Sequence, residues 1–326
     1  NMEYPDENKV HIYICDDSNR NEMKKLAEEM NINYITRTER KDAKAGNFNN
    51  ALAKTDSPLV VTFDADMIPM HDFLMSTVPY FVEDLTNAKK IEKKDGKEAR
   101  KNRKGKIGFI QTPQSFYNPD LFQYNLFSET RIPNEQDYFY RDIQISRNKS
   151  NSVIYGGTNT VISREALDEI GGFYTKVITE DFATGILIQS NGYTCYAIDE
   201  VHASGLAPED LKGLVKQRQR WARGCIQTGR KLNILFRKGL NISQKLSYIS
   251  AITYWYGCLK RLIYIMAPIL FSVFGVVVVK CTLLEVLIFW LPMYIFSSKS
   301  LKLVSRKIRY SDGTDRWIAL NHTIAV

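Results

Sequence analysis

Residues 59–66 read LVVTFDAD, an apolar run that ends in two carboxylates, Asp64 and Asp66, one residue apart. A short, near-continuous apolar segment rich in β-branched residues predicts a strand over 59–63, buried on both faces in a sheet covered by helices. Upstream, KVHIYIC at residues 9–15 is again β-branched and aromatic and runs directly into Asp16 and Asp17. Between the two strands, Met23, Leu26, Ala27 and Met30 fall at i, i+3, i+4 and i+7, the stripe of an amphipathic helix. A short strand is expected over 33–35, a helix over 46–54, and another strand over 107–111. Strands alternating with helices predict an α/β domain built on a mainly parallel sheet. Ligands of such sheets bind beyond the carboxyl ends of the strands, where both acidic pairs fall.

If the chain stays extended past residue 63, Asp64 and Asp66 point the same way and can share one hard divalent cation, Mg²⁺ or Mn²⁺, together with substrate phosphate. The alternative is a solvated acidic loop. Thr179, Glu180 and Asp181 precede FATGILIQS at 182–190, which reads as helical. A carboxylate in a first helical turn is favoured as the anion by the helix dipole and suits a base; the plainer reading is a helix cap with Thr179 as capping residue. Pro208, Glu209 and Asp210 open a further helix on which Gln217, Arg220, Trp221 and Gly224 share one face. Amide, guanidinium and indole together can hold a phosphate and stack on a sugar. The same residues also suit a helix lying at a membrane interface.

The chain has 326 residues, 44% hydrophobic, 25% charged and 12% aromatic, which is globular composition and allows about two domains. Most of its net charge of +8 sits in residues 89–106, which carry ten Lys/Arg against three Asp/Glu. That run reads as a solvated inserted loop or as a patch for anionic headgroups. It has no interleaved aromatics, so a nucleic-acid partner is not expected. Cys15, Cys195, Cys225, Cys258 and Cys281 lack metal-ligand spacing, which disfavours zinc and a disulfide framework. Residues 262–279 hold 18 residues without a charge, long enough to span a bilayer, and residues 281–296 are apolar except for Glu285. Arg237, Lys238, Lys245, Lys260 and Arg261 precede these runs and Lys299, Lys302, Arg306, Lys307 and Arg309 follow, which predicts two spans with both flanks cytoplasmic. A buried helical hairpin is the alternative. A strand is expected almost at once after Asn1, so the chain is expected to begin inside a larger protein.

Six segments in order, namely Asp16 with Asp17, KAGNFNNAL from Lys44, DAD from Asp64, TPQSFYNPD from Thr112, TED from Thr179 and QRQRWARG from Gln217, resemble the family 2 processive glycosyltransferases of the cellulose synthase type. The resemblance implies a cytoplasmic GT-A domain (a Rossmann-like nucleotide-diphospho-sugar transferase) over residues 1–235. An interfacial helix and two transmembrane helices with a basic flank then follow over 236–326. It implies that Asp16 and Asp17 contact the uridine of a UDP-sugar donor, that Lys44, Gln217 and Arg220 hold its diphosphate, and that Asp64 and Asp66 bind diphosphate and metal. Asp181 becomes the general base. Trp221, Glu180, Phe116, Asn118, Asp120, Tyr155 and Gly156 become acceptor-side residues. The opening strand of the family and a P-T-Y-N-E-like segment are expected upstream of Asn1. The implied activity is inverting, processive polymerisation of a β-glucan from UDP-glucose with Mg²⁺ or Mn²⁺. It would take place at the plasma or inner membrane, with the growing polysaccharide as acceptor and accessory secretion subunits as partners. A non-processive transferase acting on a lipid or glycerol acceptor, and a catalytically inactive membrane scaffold, are the competing readings.

Overall fold

The structure is a computed structural model that describes residues 2–92, 106–130, 132–134 and 136–304. Most of the basic run at 89–106 and the distal basic flank beyond residue 304 therefore lie outside the described residues. The chain opens with β1 (Tyr13–Cys15), α1 (Asn21–Glu29), β2 (Asn33–Ile35), α2 (Ala43–Leu52) and β3 (Leu59–Thr62). Next come β4 (Ile68–Pro69), α3 (Phe73–Glu92), β5 (Ile107–Gln111), β6 (Ser115–Phe116), α4 (Leu121–Asn125) and α5 (Gln144–Arg147). A six-residue π-helical turn, Tyr138–Ile143, leads directly into α5. The α/β part ends with β7 (Thr160–Ser163), α6 (Arg164–Glu169), α7 (Glu180–Ser190), β8 (Thr194–Ala197), β9 (Ala203–Gly205) and α8 (Leu211–Leu232). Then follow α9 (Ile242–Thr253), α10 (Gly257–Phe274) and α11 (Leu283–Val304).

The expectation of a mainly parallel sheet is corrected. The central sheet has the order β3-β7-β5-β8, and β7 runs antiparallel to both β3 and β5, while β5 and β8 are parallel. Between β5 and β7 the chain runs through β6, α4 and α5 and then re-enters the sheet in the opposite direction, which local periodicity along β5 or β7 does not reveal. β1 and β2 pair in parallel, and β4-β9-β6 form a second, small sheet beside the turn that follows β3. The strand expected over 9–15 is shorter, because residues 7–9 wind into a 3₁₀ turn. On α1 only Ala27 of the expected stripe is fully buried; Leu26 and Met30 face solvent.

The core lies between the central sheet and α7. Phe109, Ile162, Tyr155, Phe173, Ile188 and Cys195 are buried together, each large apolar side chain contributing about 1.5–3 kcal/mol. Gly185 lets α7 approach closely: a Cβ there would sit 3.0 Å from the Cβ of Tyr155. On its other side α7 meets a second cluster that joins Phe182 and Ile186 to Leu232, Leu240 and Tyr248. Through Tyr248, with Leu240 just ahead of it, α9 packs into the α/β body. Its Gln244 donates to the Asn151 carbonyl at 2.7 Å, and the Asn241–Gln244 capping box starts the helix.

The first run expected to span a bilayer is shorter as a helix. α10 stops at Phe274, where Gly275 takes a left-handed conformation (φ 65°) and donates to the Phe271 carbonyl, and the β-branched residues 276–279 do not restart it. α11 then begins with a capping box in which Thr282 and Glu285 satisfy each other's backbone N–H groups, so the lone carboxylate of this run serves a helix terminus. Among the described residues no single helix is long and apolar enough to cross a membrane. Residues 242–256 and 261–274 meet that test only as a pair bent by 40°. The side chains of α10 and α11 from Leu262 to Phe296 are largely exposed.

Candidate active site

β3 delivers Asp64 to the edge of a cleft of about 1220 Å³. The strand does not continue through the acidic pair. It ends at Thr62, and the chain closes a turn in which the Met67 N–H bonds the Asp64 carbonyl at 3.0 Å. Both carboxylates still line the cleft, Asp64 partly buried and Asp66 exposed. Two details hold the turn in place: the Asp64 N–H donates to Thr158 Oγ1 at 3.0 Å, and Met67 is buried against β9. Lys44, at the start of α2, reaches across to donate to Asp64 Oδ1 at 2.5 Å and to the Gly157 carbonyl at 2.9 Å. Its ammonium lies 5.4 Å from the Phe48 ring centre.

Opposite this pair, the first turn of α7 presents Glu180 and Asp181. Thr179 is the residue before the helix but makes no capping hydrogen bond through its side chain. Its methyl and hydroxyl instead pack on Gly224 of α8, where a Cβ would meet Thr179 Cγ2 at 2.3 Å and its backbone N at 2.7 Å. That contact brings the acidic turn against the QRQRWARG helix. Asp181 Oδ1 accepts from the Phe182 N–H at 2.7 Å, and its second oxygen faces Gly157, where a Cβ would lie 2.8 Å away at a backbone φ of +79°. Burial, reinforced by the adjacent Glu180 charge, raises the Asp181 carboxyl to about 7, against the smaller pull of the Phe182 N–H and the Lys44 and Arg220 cations. Burial likewise raises Glu180. The expectation that the helix dipole keeps Asp181 ionised is therefore reversed in sign, because desolvation and a like charge outweigh the helix terminus.

α8 contributes Gln217, Arg220 and Trp221 to the same cleft. Its N-terminus is fixed by Asp210, which accepts from the Gly213 N–H at 2.5 Å. The Arg218 guanidinium stacks over Trp221 at 4.7 Å. Phe116 on β6 lies in the wall, and so do Tyr155 and Gly156. The Tyr155 hydroxyl is paired with Thr62 at 3.0 Å, and the Gly156 N–H donates to Gln111 Oε1 at 2.7 Å.

Four residues expected at the site lie outside the cleft wall. Asp16 accepts from the Ser18 and Arg20 N–H groups, the Arg20 guanidinium and the Tyr34 hydroxyl. Burial opposes its ionisation, yet those donors prevail and hold the carboxyl well below the usual range. Asp17 pairs through both oxygens with Arg37, at 2.6 and 2.8 Å. Asn118 exchanges two hydrogen bonds with the Ala207 backbone, and Asp120 forms the capping box of α4 with Gln123. Conversely, sequence reasoning missed Gln114, Tyr138, Phe139 and Tyr140. The π-turn brings the last three into the cleft, and Tyr140 donates to Gln114 Oε1 at 2.7 Å. Gly157, which follows Tyr155 and Gly156 in the expected acceptor-side segment, occupies a position where a Cβ would meet the Asp181 carboxylate.

For a divalent cation the donor set present is the carboxylates of Asp64 and Asp66, at one turn of the cleft rim. This fits a hard ion that takes few protein ligands and completes its shell with water and phosphate oxygens. Among the described residues no cluster of three or more His, Cys, Asp or Glu side chains offers a fuller cage.

Comparison with known proteins identifies the family and the fold. The profile of "Glycosyl transferase family group 2" matches residues 94–298 and that of "Glycosyl transferase family 2" matches residues 3–171. The chain belongs to glycosyl transferase family 2. Within that family it is of the cellulose synthase type. It is 32% identical over 310 residues to the cellulose synthase catalytic subunit (UDP-forming) of Pseudomonas fluorescens, covering 95% of this chain and 39% of that protein. It is 34% identical to cellulose synthase 1 of Komagataeibacter xylinus over 95% of the chain and 19% of the relative. A third relative, the Xanthomonas axonopodis pv. citri catalytic subunit, is 36% identical over 255 residues. The chain thus spans between 19% and 39% of the length of these relatives. Among solved structures it resembles the Pyrobaculum calidifontis mannosyltransferase PcManGT in complex with GDP-Man and Mn²⁺, with a TM-score of 0.56 and 18% identity over 99% of this chain and 78% of that one. It also resembles Staphylococcus aureus TarS 1–349 in complex with UDP-GlcNAc, with a TM-score of 0.52 and 11% identity over 94% and 76% of the two chains. These likenesses show the fold, a GT-A-like α/β glycosyltransferase domain.

Proposed function

We propose that this family 2 glycosyltransferase polymerises a β-glucan by inverting, processive transfer of glucose from UDP-glucose. The observation that carries the reading is one cleft shared by the acidic turn after β3, the buried carboxylate pair of α7 and the Gln217–Arg220–Trp221 face of α8. Inversion requires an acceptor hydroxyl in line with the anomeric carbon, a base for its proton, and stabilisation of the departing diphosphate. Asp181, with its carboxyl near 7, is matched to that base: it is substantially ionised at neutral pH and still basic enough to take a proton. As the acceptor oxygen bonds to the anomeric carbon, the bond from that carbon to the diphosphate breaks, UDP departs with the electron pair, and the hydroxyl proton passes to Asp181. Lys44 and Arg220 offset the charge that grows on the leaving group. Gln217 donates to it, and Trp221 offers an indole face to the acceptor sugar. Asp64 and Asp66 would hold Mg²⁺ or Mn²⁺, which when bound neutralises diphosphate charge.

The exposed apolar surfaces of α10 and α11 exceed what a water-soluble monomer ordinarily leaves uncovered. They support a multi-pass protein of the plasma or inner membrane, with the cleft on the side of the basic residues that precede α10. A polysaccharide acceptor and accessory secretion subunits complete the proposed system.

Asp181→Asn in the full-length protein tests the assignment. Lost polymer synthesis with retained UDP binding is expected. Continued synthesis of high-mass, glycosidase-sensitive product overturns the base, and a chloroform-extractable product in the parent protein overturns processive polymerisation.

A further inference from the structure

The loop before α2 holds an arrangement whose parts all converge on Lys44. Asp42 and Ala43 both lie at left-handed φ, 62° and 43°, a region that Asp tolerates but that Ala occupies only when its surroundings enforce it. What enforces it is Arg37, whose side chain is 8% exposed. Nη1 donates to the Lys41 carbonyl at 2.6 Å and Nη2 to the Ala43 carbonyl at 2.9 Å. Nε and Nη2 grip the two oxygens of Asp17 at 2.6 and 2.8 Å. The planar fork of a guanidinium can satisfy these acceptors together, whereas an ammonium cannot. Gly46 closes the arrangement: a Cβ at that position would lie 2.1 Å from the Lys41 carbonyl oxygen and 2.4 Å from Arg37 Nη1. The next residue after the left-handed pair is Lys44, and its ammonium lands on Asp64 Oδ1 and the Gly157 carbonyl.

We propose that Asp17, Arg37 and Gly46 form a cradle that fixes the Lys41–Ala43 turn and so positions Lys44 in the donor cleft, with Arg37 as a positioning residue that never touches the donor. This rests on the reading of Lys44 as a diphosphate ligand. It gives Asp17 a role at a distance: its carboxylate orients the guanidinium that bends the turn that aims the lysine. A collapsed cradle lets Ala43 relax to negative φ, which swings the first turn of α2 and withdraws the ammonium from Asp64.

The test is calorimetric binding of UDP in the presence of Mn²⁺ to the full-length protein in detergent, for Arg37→Ala, Arg37→Lys, Gly46→Ala, Lys44→Ala and the Arg37→Ala/Lys44→Ala double variant. Losing one close charged contact weakens binding about tenfold, so Arg37→Ala and Lys44→Ala are each expected to show that loss. The double variant is expected to bind no worse than Lys44→Ala alone, because Arg37 acts through Lys44. Arg37→Lys keeps the charge and the fold but loses the fork, and should weaken UDP as Arg37→Ala does; Gly46→Ala should do the same. Losses that multiply in the double variant, to about a hundredfold, overturn the cradle and leave the donor site standing, as does parental affinity in Arg37→Lys. Parental affinity in Lys44→Ala overturns both the cradle and the assignment of Lys44 to the diphosphate.

Discussion

Replacing Asp181 with Asn is expected to move activity and stability in opposite directions. Burial and the neighbouring Glu180 lift the carboxyl from 3.8 to about 7 in the folded protein. Between those two values the folded state binds a proton that the unfolded state has released, so stability falls as pH rises across the window and the whole penalty is present above about 7. The gap is worth about 4 kcal/mol at most, and less in practice because the outer edge of Asp181 faces the cleft. An asparagine has no charge to desolvate. The variant should therefore match the parent in denaturant unfolding at pH 4 and exceed it at pH 8 by an amount approaching that bound. Polymer synthesis should fall by roughly 10²–10⁴-fold, the usual contribution of a general base. In the parent enzyme, the rate should climb about tenfold per pH unit below 7 and level off above it. A rate that is flat between pH 5 and 8, or a variant no more stable than its parent at pH 8, refutes the buried-base argument.

Other consequences follow from the same geometry. Asp66→Asn should abolish the Mn²⁺ dependence of UDP binding while leaving the unfolding free energy within about 0.5 kcal/mol of the parent, since Asp66 is exposed; calorimetry with and without chelator reads the first and denaturant unfolding the second. Gly224→Ala places a Cβ against Thr179 and should cost about 1–3 kcal/mol and separate the acidic turn from α8, seen as lost synthesis together with a lowered melting temperature. Gly157→Ala combines a left-handed φ with a contact to the Asp181 carboxylate, and should depress synthesis more than it depresses stability. In nanodiscs made with brominated lipid, Trp290 on the exposed face of α11 should account for a quenched fraction of the fluorescence that Trp290→Phe removes; unchanged quenching places α11 away from the bilayer.

The strands over 33–35 and 107–111 and the helices at α7 and α8 were legible along the chain because each carries its own periodicity and its own stop signals. The acidic pairs were visible for the same local reason: a carboxylate placed after an apolar strand can be seen without knowing what faces it. Direction and partnership were not. β7 is a short β-branched run that looks alike in either orientation, and only the path of the intervening excursion makes it antiparallel to β3 and β5. Asp16, Asp17 and Asp120 carry the same side-chain chemistry as Asp64 and Asp181. Three-dimensional neighbours decide that the first three are engaged by Arg20, Arg37 and a helix terminus while the last two open on the cleft. The ionisation of Asp181 shows the division most clearly. Its place in the first turn of α7 could be read from sequence and argues for a low pKa, but the desolvation that raises it comes from segments distant in sequence, such as Gly157 and the wall around it, that only folding brings together.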